Sequence, residues 1–140
     1  MASLDSNRTG ASLLRVSLGI MYVAHSVVLK YFMYTLAGTA AYFESIGLPA
    51  FLAYVVFAAE VIGGVLLILG IRTRVVSLGL IPILIGATWA HIGNGWVFSN
   101  ANGGWEYPLY LIVISIVVAL QAQPLTRTHG FAQKQEATLA

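Results

Sequence analysis

Four long apolar stretches occupy most of the chain, and no other feature of the sequence constrains its fold as strongly. They run from about residue 11 to 31, 50 to 69, 75 to 92 and 108 to 122. A membrane-spanning helix needs about 20 mostly apolar residues. Charged residues make up only 9% of the chain, whereas soluble domains carry about 25%. We therefore predict an all-α integral membrane protein, a four-helix bundle within one transmembrane domain, residues 11–123.

The segments outside these stretches are too polar or too interrupted to span a bilayer. Residues 31–49, YFMYTLAGTAAYFESIGLP, cluster aromatic side chains as membrane proteins do at the bilayer surface. We expect a short interfacial helix there, between the first and second spans. The link between the third and fourth spans, HIGNGWVFSNANGGWEYP, predicts a structured loop. Residues 1–10 and 124–140 are predicted to be polar cytoplasmic tails.

The distribution of cations predicts how the bundle is oriented in the membrane. Pairs of cations lie before or at the start of the first span, between the second and third spans, and after the fourth: Arg8 and Arg15, Arg72 and Arg74, Arg127 and Lys134. Only Lys30 lies toward the opposite face. Because positive charges concentrate in the cytoplasmic segments of membrane proteins, both termini are expected in the cytoplasm.

Composition also excludes several classes of chemistry. The chain contains no cysteine, which excludes disulfides, thiolate metal sites and thiol–disulfide exchange by its own residues. The formal net charge of +2 is too small to indicate nucleic-acid binding. Neither His25 nor His91 has a histidine partner at the i,i+4 spacing of a helical metal motif, so no metal site is predicted. The lipid bilayer is the partner that composition indicates.

Four ionisable residues fall in the middle or the outer half of the membrane in this orientation: His25, Glu60, His91 and Glu106. A charged side chain at the centre of a span costs about 2.5–3.5 kcal/mol on insertion scales. Each of these residues is therefore expected to have a stabilising partner or a functional role. Glu60 is either half of a structural ion pair or hydrogen bond, or a proton-exchanging or ligand-binding carboxylate. The two histidines either bond to neighbouring helices or share a polar pocket with the carboxylates.

Two charged residues near the ends of spans have competing interpretations. Arg15, close to the cytoplasmic end of the first span, either extends its charge to the lipid headgroups or forms an ion pair with Glu60. Glu106 begins the fourth helix, where an acid complements the helix dipole. It also lies beneath the predicted loop that carries Trp96 and Trp105.

Small residues indicate where helices approach one another closely. Gly19, Tyr22 and Ser26 lie on one helical face with Arg15, and this face is expected to look into the bundle. Gly64 shares the face of Glu60 and would let a neighbouring helix or a ligand come close. Two small-residue pairs at i,i+4 spacing favour a compact bundle or a homo-oligomer contact: Ala59/Gly63 and Gly86/Ala90.

Taken together, the motifs resemble one family. The segments SLLRVSLGIMYVAHSVVLKYF, IGLPAFLAYVVFAAEVIGGVLLILGIRTR and HIGNGWVFSNANGGWEYPLYLIV are similar, in order and spacing, to the DoxX family of small bacterial membrane proteins. The combination of LLR, GLP, ExxGG, LGxxTR and GGWEYP is specific, although each motif alone is not. The family often has AHGxxKL in the first span, whereas this chain reads AHSVVLKYF, with Ser26 in place of glycine and Lys30 displaced by one residue. The tail LTRTHGFAQKQEATLA diverges and is assigned no role.

The resemblance implies a four-helix bundle in the bacterial inner membrane with an oxidoreductase function. Some relatives are associated with thiosulfate:quinone oxidation and others with membrane oxidoreductase complexes. The residues that the resemblance carries over by motif position are Arg15, His25, Glu60, Arg74, His91 and Glu106.

The function favoured at this stage is a quinone-linked membrane oxidoreductase subunit with a polar pocket in the outer half of the bundle. The predicted catalytic residues are Glu60, His25, His91 and Glu106, and the predicted ligand-binding residues are Arg15, Trp96, Trp105 and Tyr107. Histidines would donate hydrogen bonds to a quinone, carboxylates would exchange protons, and the aromatic side chains would pack against the ring. The chain has no flavin motif or convincing haem ligation pattern, so a partner oxidoreductase is expected to supply electrons. The alternatives are a non-catalytic scaffold for such a partner and a small-solute transporter.

Overall fold

A computed structural model describes residues 2–122, and this part of the chain is helical with no β-strand. Five α-helices are present: α1 (Ala2–Ala24), α2 (Leu36–Ser45), α3 (Phe51–Leu69), α4 (Thr73–His91) and α5 (Glu106–Gln121). A π-helix, His25–Met33, continues α1, and a short 3-10 helix, Ile92–Asn94, continues α4. The all-α prediction is confirmed.

The long helices are those of a multi-pass membrane protein. Three are long and apolar enough to cross a bilayer: Ser6–Met33, Phe51–Leu69 and Thr73–Asn94. The fourth, α5, is apolar but only 16 residues long. At 1.5 Å per residue its length is about 24 Å, somewhat less than the hydrocarbon core of a typical bilayer.

The outer surface of the bundle is apolar and several buried positions are polar. Leu13, Ile62, Ile85 and Leu120 are among the large aliphatic side chains that lie exposed on the four long helices. The buried polar side chains include those of Ser26, Glu60, Ser77 and Ser115. This arrangement is stable in lipid rather than in water, because apolar side chains then face hydrocarbon and polar ones face each other.

Helix α2 lies where a short helix was predicted between the first two spans. The side chain of Thr35 caps its first turn by accepting a hydrogen bond from the Gly38 amide at 3.1 Å. Exposed aromatic residues precede α2 at Tyr31–Tyr34 and continue within it at Tyr42. The helix is therefore confirmed, whereas its position at the bilayer surface stays a prediction.

Helices α1 and α3 pack at very short range through two glycines. A Cβ atom at Gly19 would lie 2.6 Å from the carbonyl oxygen of Gly64, and one at Gly64 would lie 2.8 Å from that of Gly19. Only glycine at both positions permits this approach, as expected for Gly64. The predicted pair Ala59/Gly63 is used differently, because Gly63 accommodates the side chain of Leu80 on α4.

The apolar core lies among α1, α3, α4 and α5. Its buried members are Leu18, Tyr22, Leu67, Leu80, Leu84, Leu111 and Val118. Gly86 has open space where a side chain would be, so the pair Gly86/Ala90 makes no close contact through that glycine within the chain.

Of the two predicted tails, the structure describes the first and not the second. Residues 2–10 are part of α1 and continue the first span without a break. Residues 124–140 lie outside the described residues.

Candidate functional site

The π-helix at the end of the first span positions the polar residues of the site. Its wider turn is visible where the Tyr34 amide donates to the carbonyl oxygen of Leu29, five residues earlier, at 2.8 Å. A π-turn holds about one residue more than an α-turn, and such segments are frequent at functional sites. His25, Ser26 and Lys30 all lie on this segment. The additional residue of this wider turn corresponds to the one additional residue that separates Lys30 from His25 relative to the family pattern.

Glu60 is the centre of a buried polar cluster. It is the tenth of the 19 residues of α3 and is 4% exposed. Its Oε2 atom accepts a hydrogen bond from the Ser26 hydroxyl at 2.5 Å and an ion-pairing hydrogen bond from Lys30 Nζ. The side chains of Lys30 and Glu60 are 12% and 5% exposed. A carboxylate in the middle of a span is therefore compensated by one cation and one hydroxyl.

Arg15 does not pair with Glu60, which corrects one of the two interpretations of this arginine. Its Nη1 atom donates to the carbonyl oxygens of Leu67 and Ile68, the second at 2.9 Å. Leu67 lies seven residues beyond Glu60, which is about 10 Å of helix rise. Arg15 thus adds a donor to carbonyl groups at the end of α3, where the helix offers few amide donors of its own. It is remote from the predicted ligand pocket.

The two intramembrane histidines lie on either side of this region. His25 is close enough to Lys30, Glu60 and His91 to interact electrostatically with each of them. The Nδ1 atom of His91 lies 2.8 Å from the carbonyl oxygen of Ala87 on its own helix, so Nδ1 carries the hydrogen and Nε2 of a neutral ring is an acceptor. The structure therefore brings His25 into the neighbourhood of the carboxylate, and His91 into the neighbourhood of His25.

The loop between α4 and α5 is ordered by a network around Glu106. The Phe98 amide donates to Oε1 of Glu106 at 2.8 Å, and the Glu106 amide donates to the Trp96 carbonyl oxygen at 3.1 Å. The loop reaches back to α4 at Gly103, where a Cβ atom would lie 3.3 Å from Cδ2 of His91. The prediction of a structured loop is confirmed, and Glu106 serves both the loop and the start of α5.

An aromatic groove lies beside this loop on the outer surface of α5. Its volume is about 410 Å³, and its lining residues are Trp96, Phe98, Glu106, Tyr107, Leu109, Tyr110 and Val113. Trp105 supports it from behind, with its ring edge-to-face against Trp96 at a centroid distance of 4.4 Å and an angle of 89°. Three of the predicted site residues, Trp96, Glu106 and Tyr107, thus border one concave apolar surface.

The predicted site residues therefore occupy four places. Glu60 and His25 belong to the buried polar cluster, and His91 lies between that cluster and the loop. The aromatic residues and Glu106 form the groove, and Arg15 lies at the other end of the bundle. The single pocket that the sequence suggested is, in the structure, a buried ion pair and a separate surface groove.

Sequence reasoning missed Lys30 and Ser26 as partners of Glu60. Lys30 was used only for orientation, although a lone cation on the face opposite the other cations is a signal for a specific partner. Three buried hydroxyl groups were also missed as a set. Those of Tyr22, Ser77 and Ser115 make no hydrogen bond of ordinary geometry, although the Tyr22 hydroxyl lies next to Ser115.

The chain is similar to proteins of one known family. The sequence model of the DoxX family matches residues 10–93, which include Arg15, His25, Glu60 and His91. A protein of Bacillus subtilis (strain 168) named "Putative oxidoreductase CatD" is 40% identical over 111 residues, covering 79% of this chain and 78% of that protein. No solved structure gives a significant match.

Proposed function

This chain belongs to the DoxX family, and from that premise we propose that it is a membrane oxidoreductase subunit that binds a quinone or a similar small redox ligand. The proposed location is the bacterial inner membrane, with both termini in the cytoplasm and the ligand in the outer half of the bundle. The name of its Bacillus relative supports an oxidoreductase role. The ligand and the residues that bind it are inferred from the site.

The buried pair of Lys30 and Glu60 is the observation that carries this proposal. A buried ion pair is often no more stabilising than apolar residues of the same volume, because both charges must be removed from water. Packing alone therefore gives little reason to place this pair in a membrane helix. Ionisable residues within spans commonly mark proton relays and ligand sites. The hydroxyl of Ser26 and the ring of His25 extend the cluster with further proton-carrying groups.

The aromatic groove has the properties that a quinone ring requires. Ligand pockets are typically about 300–1,000 Å³, mostly apolar, with a few polar groups that set orientation. The groove holds about 410 Å³, and among its lining residues Glu106 is the one with a charged side chain. It faces the lipid side of α5, where Tyr107 and Tyr110 are exposed. A ligand with an apolar tail would reach it directly from the bilayer.

The protein's contribution to such chemistry is the handling of protons. Reduction of a quinone to a quinol takes up two electrons and two protons. Lys30 is the proton donor and the Glu60 carboxylate the proton acceptor of one hydrogen bond. Glu106 has a second carboxylate oxygen that does not bond to the Phe98 amide. These groups can hold or release protons within the membrane without exposing an isolated charge.

The proposed source of electrons is another protein. The sequence has no cysteine, and the residues that the structure describes hold no cluster of three or more metal-binding side chains. We therefore propose that a partner oxidoreductase delivers electrons to the ligand. A non-catalytic scaffold and a small-solute transporter are the alternatives that the test must separate.

The test is the quinone content of the protein after gentle extraction from its native membrane, measured by mass spectrometry. We expect the wild-type protein to retain quinone and Glu106→Gln, which removes the charge of the one charged residue that lines the groove, to lose most of it. Glu44→Gln is the matched control, because Glu44 is an exposed carboxylate on α2 and its removal should have no effect. Absence of quinone from the wild type, or equal retention by Glu106→Gln, would overturn the proposal. Solute flux into proteoliposomes would favour transport instead.

A further inference from the structure

A second cavity lies at the opposite end of the bundle from the aromatic groove, and neither the redox proposal nor the family similarity explains it. It has a volume of about 460 Å³ and lies between the first part of α1, the α3–α4 link and the end of α5. Four arginines line it: Arg8, Arg15, Arg72 and Arg74.

The charge around this cavity is positive and uncompensated within the described side chains. Residues 6–122 contain five cationic side chains, and four of them line this one cavity. The acidic residues of the same range are Glu44, Glu60 and Glu106, and none of them lines it. The preference of cations for the cytoplasmic side explains why arginines lie at this end of the bundle. It does not explain why they converge on a concave surface, where they repel one another.

The start of α4 adds a second attraction for an anion. Arg72 precedes the helix with a left-handed backbone (φ 45°), and its side chain makes no capping hydrogen bond. The Val76 amide donates to the Arg72 carbonyl oxygen, which leaves the amides of Thr73, Arg74 and Val75 without an acceptor inside the helix. These three residues also line the cavity. Free amides and the positive end of a helix dipole are a common binding site for phosphate.

Arg15 is held in place at the bottom of this arrangement. Its Nη1 atom is fixed by the carbonyl oxygens at the end of α3. Its guanidinium lies against Gly70, where a Cβ atom would be 3.0 Å from Nη1 and 3.2 Å from Cζ. Gly70 itself has a left-handed backbone (φ 75°). An arginine that is already ordered loses less side-chain entropy when its remaining N–H groups bind a ligand.

We propose that this cavity binds a phosphate group, contributed either by the headgroup of an anionic phospholipid or by a soluble phosphate compound. Arginine side chains and free helix amides both recognise phosphate oxygens, the arginines by paired N–H donors. The cavity is open at the end of the bundle and is large enough for such a group. This inference is independent of the proposed redox function, because the cavity shares no lining residue with the aromatic groove and includes neither Lys30 nor Glu60.

The experiment measures binding to the full-length protein in detergent micelles by the shift of its thermal unfolding midpoint. The probes are phosphatidylglycerol against phosphatidylcholine, and inorganic pyrophosphate against sodium chloride of equal ionic strength. A ligand that binds the folded protein raises the midpoint, and the shift grows with the logarithm of the ligand concentration once that exceeds the Kd. Stabilisation by phosphatidylglycerol alone would identify a lipid headgroup, and stabilisation by pyrophosphate as well would identify a soluble ligand. No preference for either anionic probe would overturn the proposal.

Two variants distinguish binding inside the cavity from nonspecific attraction to a basic surface. Arg72→Gln with Arg74→Gln should weaken binding on the order of tenfold or more, since two charge-assisted contacts are lost. Ala11→Phe should abolish binding without any change of charge, because Ala11 lines the cavity. Unchanged binding in either variant would contradict the proposal.

Orientation must be checked in these variants, because removing arginines can alter the insertion of a membrane protein. The chain has no cysteine, so a single cysteine introduced at Gly10 reports which side of the membrane it faces. Arg72→Lys with Arg74→Lys serves as the control that keeps the charge. It should insert normally and bind with intermediate affinity, because lysine lacks the planar paired donors of arginine. Binding equal to the wild type in this control would contradict recognition by guanidinium groups.

Discussion

Lys30 donates a hydrogen bond to the carboxylate of Glu60 across the contact between the π-helix and α3, where Glu60 is buried and Lys30 is partly buried. The same carboxylate oxygen accepts the Ser26 hydroxyl. Ser26 and Lys30 are four residues apart, and the wider turn of the π-helix, about 4.4 residues, keeps such a pair on one side of the helix. The π-helix therefore presents the hydroxyl of Ser26 and the ammonium group of Lys30 to the same carboxylate.

Replacing one member of the ion pair should lower the free energy of unfolding far more than replacing both. Glu60→Gln or Lys30→Met leaves a polar group or an unpaired charge in the bundle and should lower the free energy of unfolding by about 3–5 kcal/mol. The double variant, Lys30→Met with Glu60→Gln, should recover most of that stability. Unfolding in increasing proportions of denaturing detergent measures the free energy of unfolding. A loss in the double variant equal to the sum of the two single losses would show that the two residues are not energetically coupled.

The extra residue in the π-helix can be tested by deletion. Removing Val28 restores the spacing that resembles the family pattern, so we expect the segment to become α-helical and Lys30 to keep its contact with Glu60. The deletion protein should fold with wild-type helicity by circular dichroism and should retain quinone. Deleting Val61 from α3 is the control, because it rotates half of that helix by about 100° and should prevent folding. If the Val28 deletion is equally harmful, the π-helix has a structural role of its own.

The contact of α1 with α3 should not tolerate a single added methyl group. Gly64→Ala places a Cβ atom 2.8 Å from the carbonyl oxygen of Gly19 and from Cγ2 of Val23, so the helices must move apart. We expect a loss of about 1–3 kcal/mol. Gly86→Ala is the matched control, because its Cβ meets nothing within 4 Å. That variant should be neutral or slightly stabilising, since alanine favours a helix by about 1 kcal/mol over glycine.

Replacing the buried serines Ser26 and Ser77 by alanine should change the stability of the protein by different amounts. Ser26→Ala removes a hydrogen bond to a carboxylate and should lower stability by about 1.5–3 kcal/mol. Ser77→Ala removes a buried hydroxyl that has no partner, so stability should be unchanged or increased. The two substitutions delete the same atom, and their unfolding midpoints compare the environments directly. A larger loss for Ser77→Ala would mean that its hydroxyl has a partner, such as an ordered water.

Much of the architecture was predictable because a membrane constrains helices so strongly. Apolar stretches of sufficient length must be helical, since hydrocarbon offers no partner for backbone amides. Gly64 was predictable as a close contact because its position on the face of Glu60 follows from helical periodicity alone. The structured loop before Glu106 was predictable from its glycine, asparagine and tryptophan content.

The partners of the charged residues were not predictable, and Arg15 and Lys30 show why. Periodicity establishes which face of a helix a residue occupies, but not how far two helices are shifted along each other. The sequence suggested Glu60 as a partner for Arg15. The packing of Gly19 on Gly64 instead fixes the relative shift of α1 and α3 so that Arg15 reaches the end of α3. The same shift brings Lys30 to Glu60.

By itself the sequence determined that this chain is helical, belongs in a membrane and holds ionisable residues that a lipid environment must pair. These properties follow from local composition and from the energy of exposing polar groups to hydrocarbon. Tertiary structure alone decided which charges meet, that the predicted pocket divides into a buried ion pair and an aromatic groove, and that four arginines gather around one cavity. Such pairings depend on helix shift, helix type and loop closure, and these result from side-chain contacts between segments that are distant in the sequence.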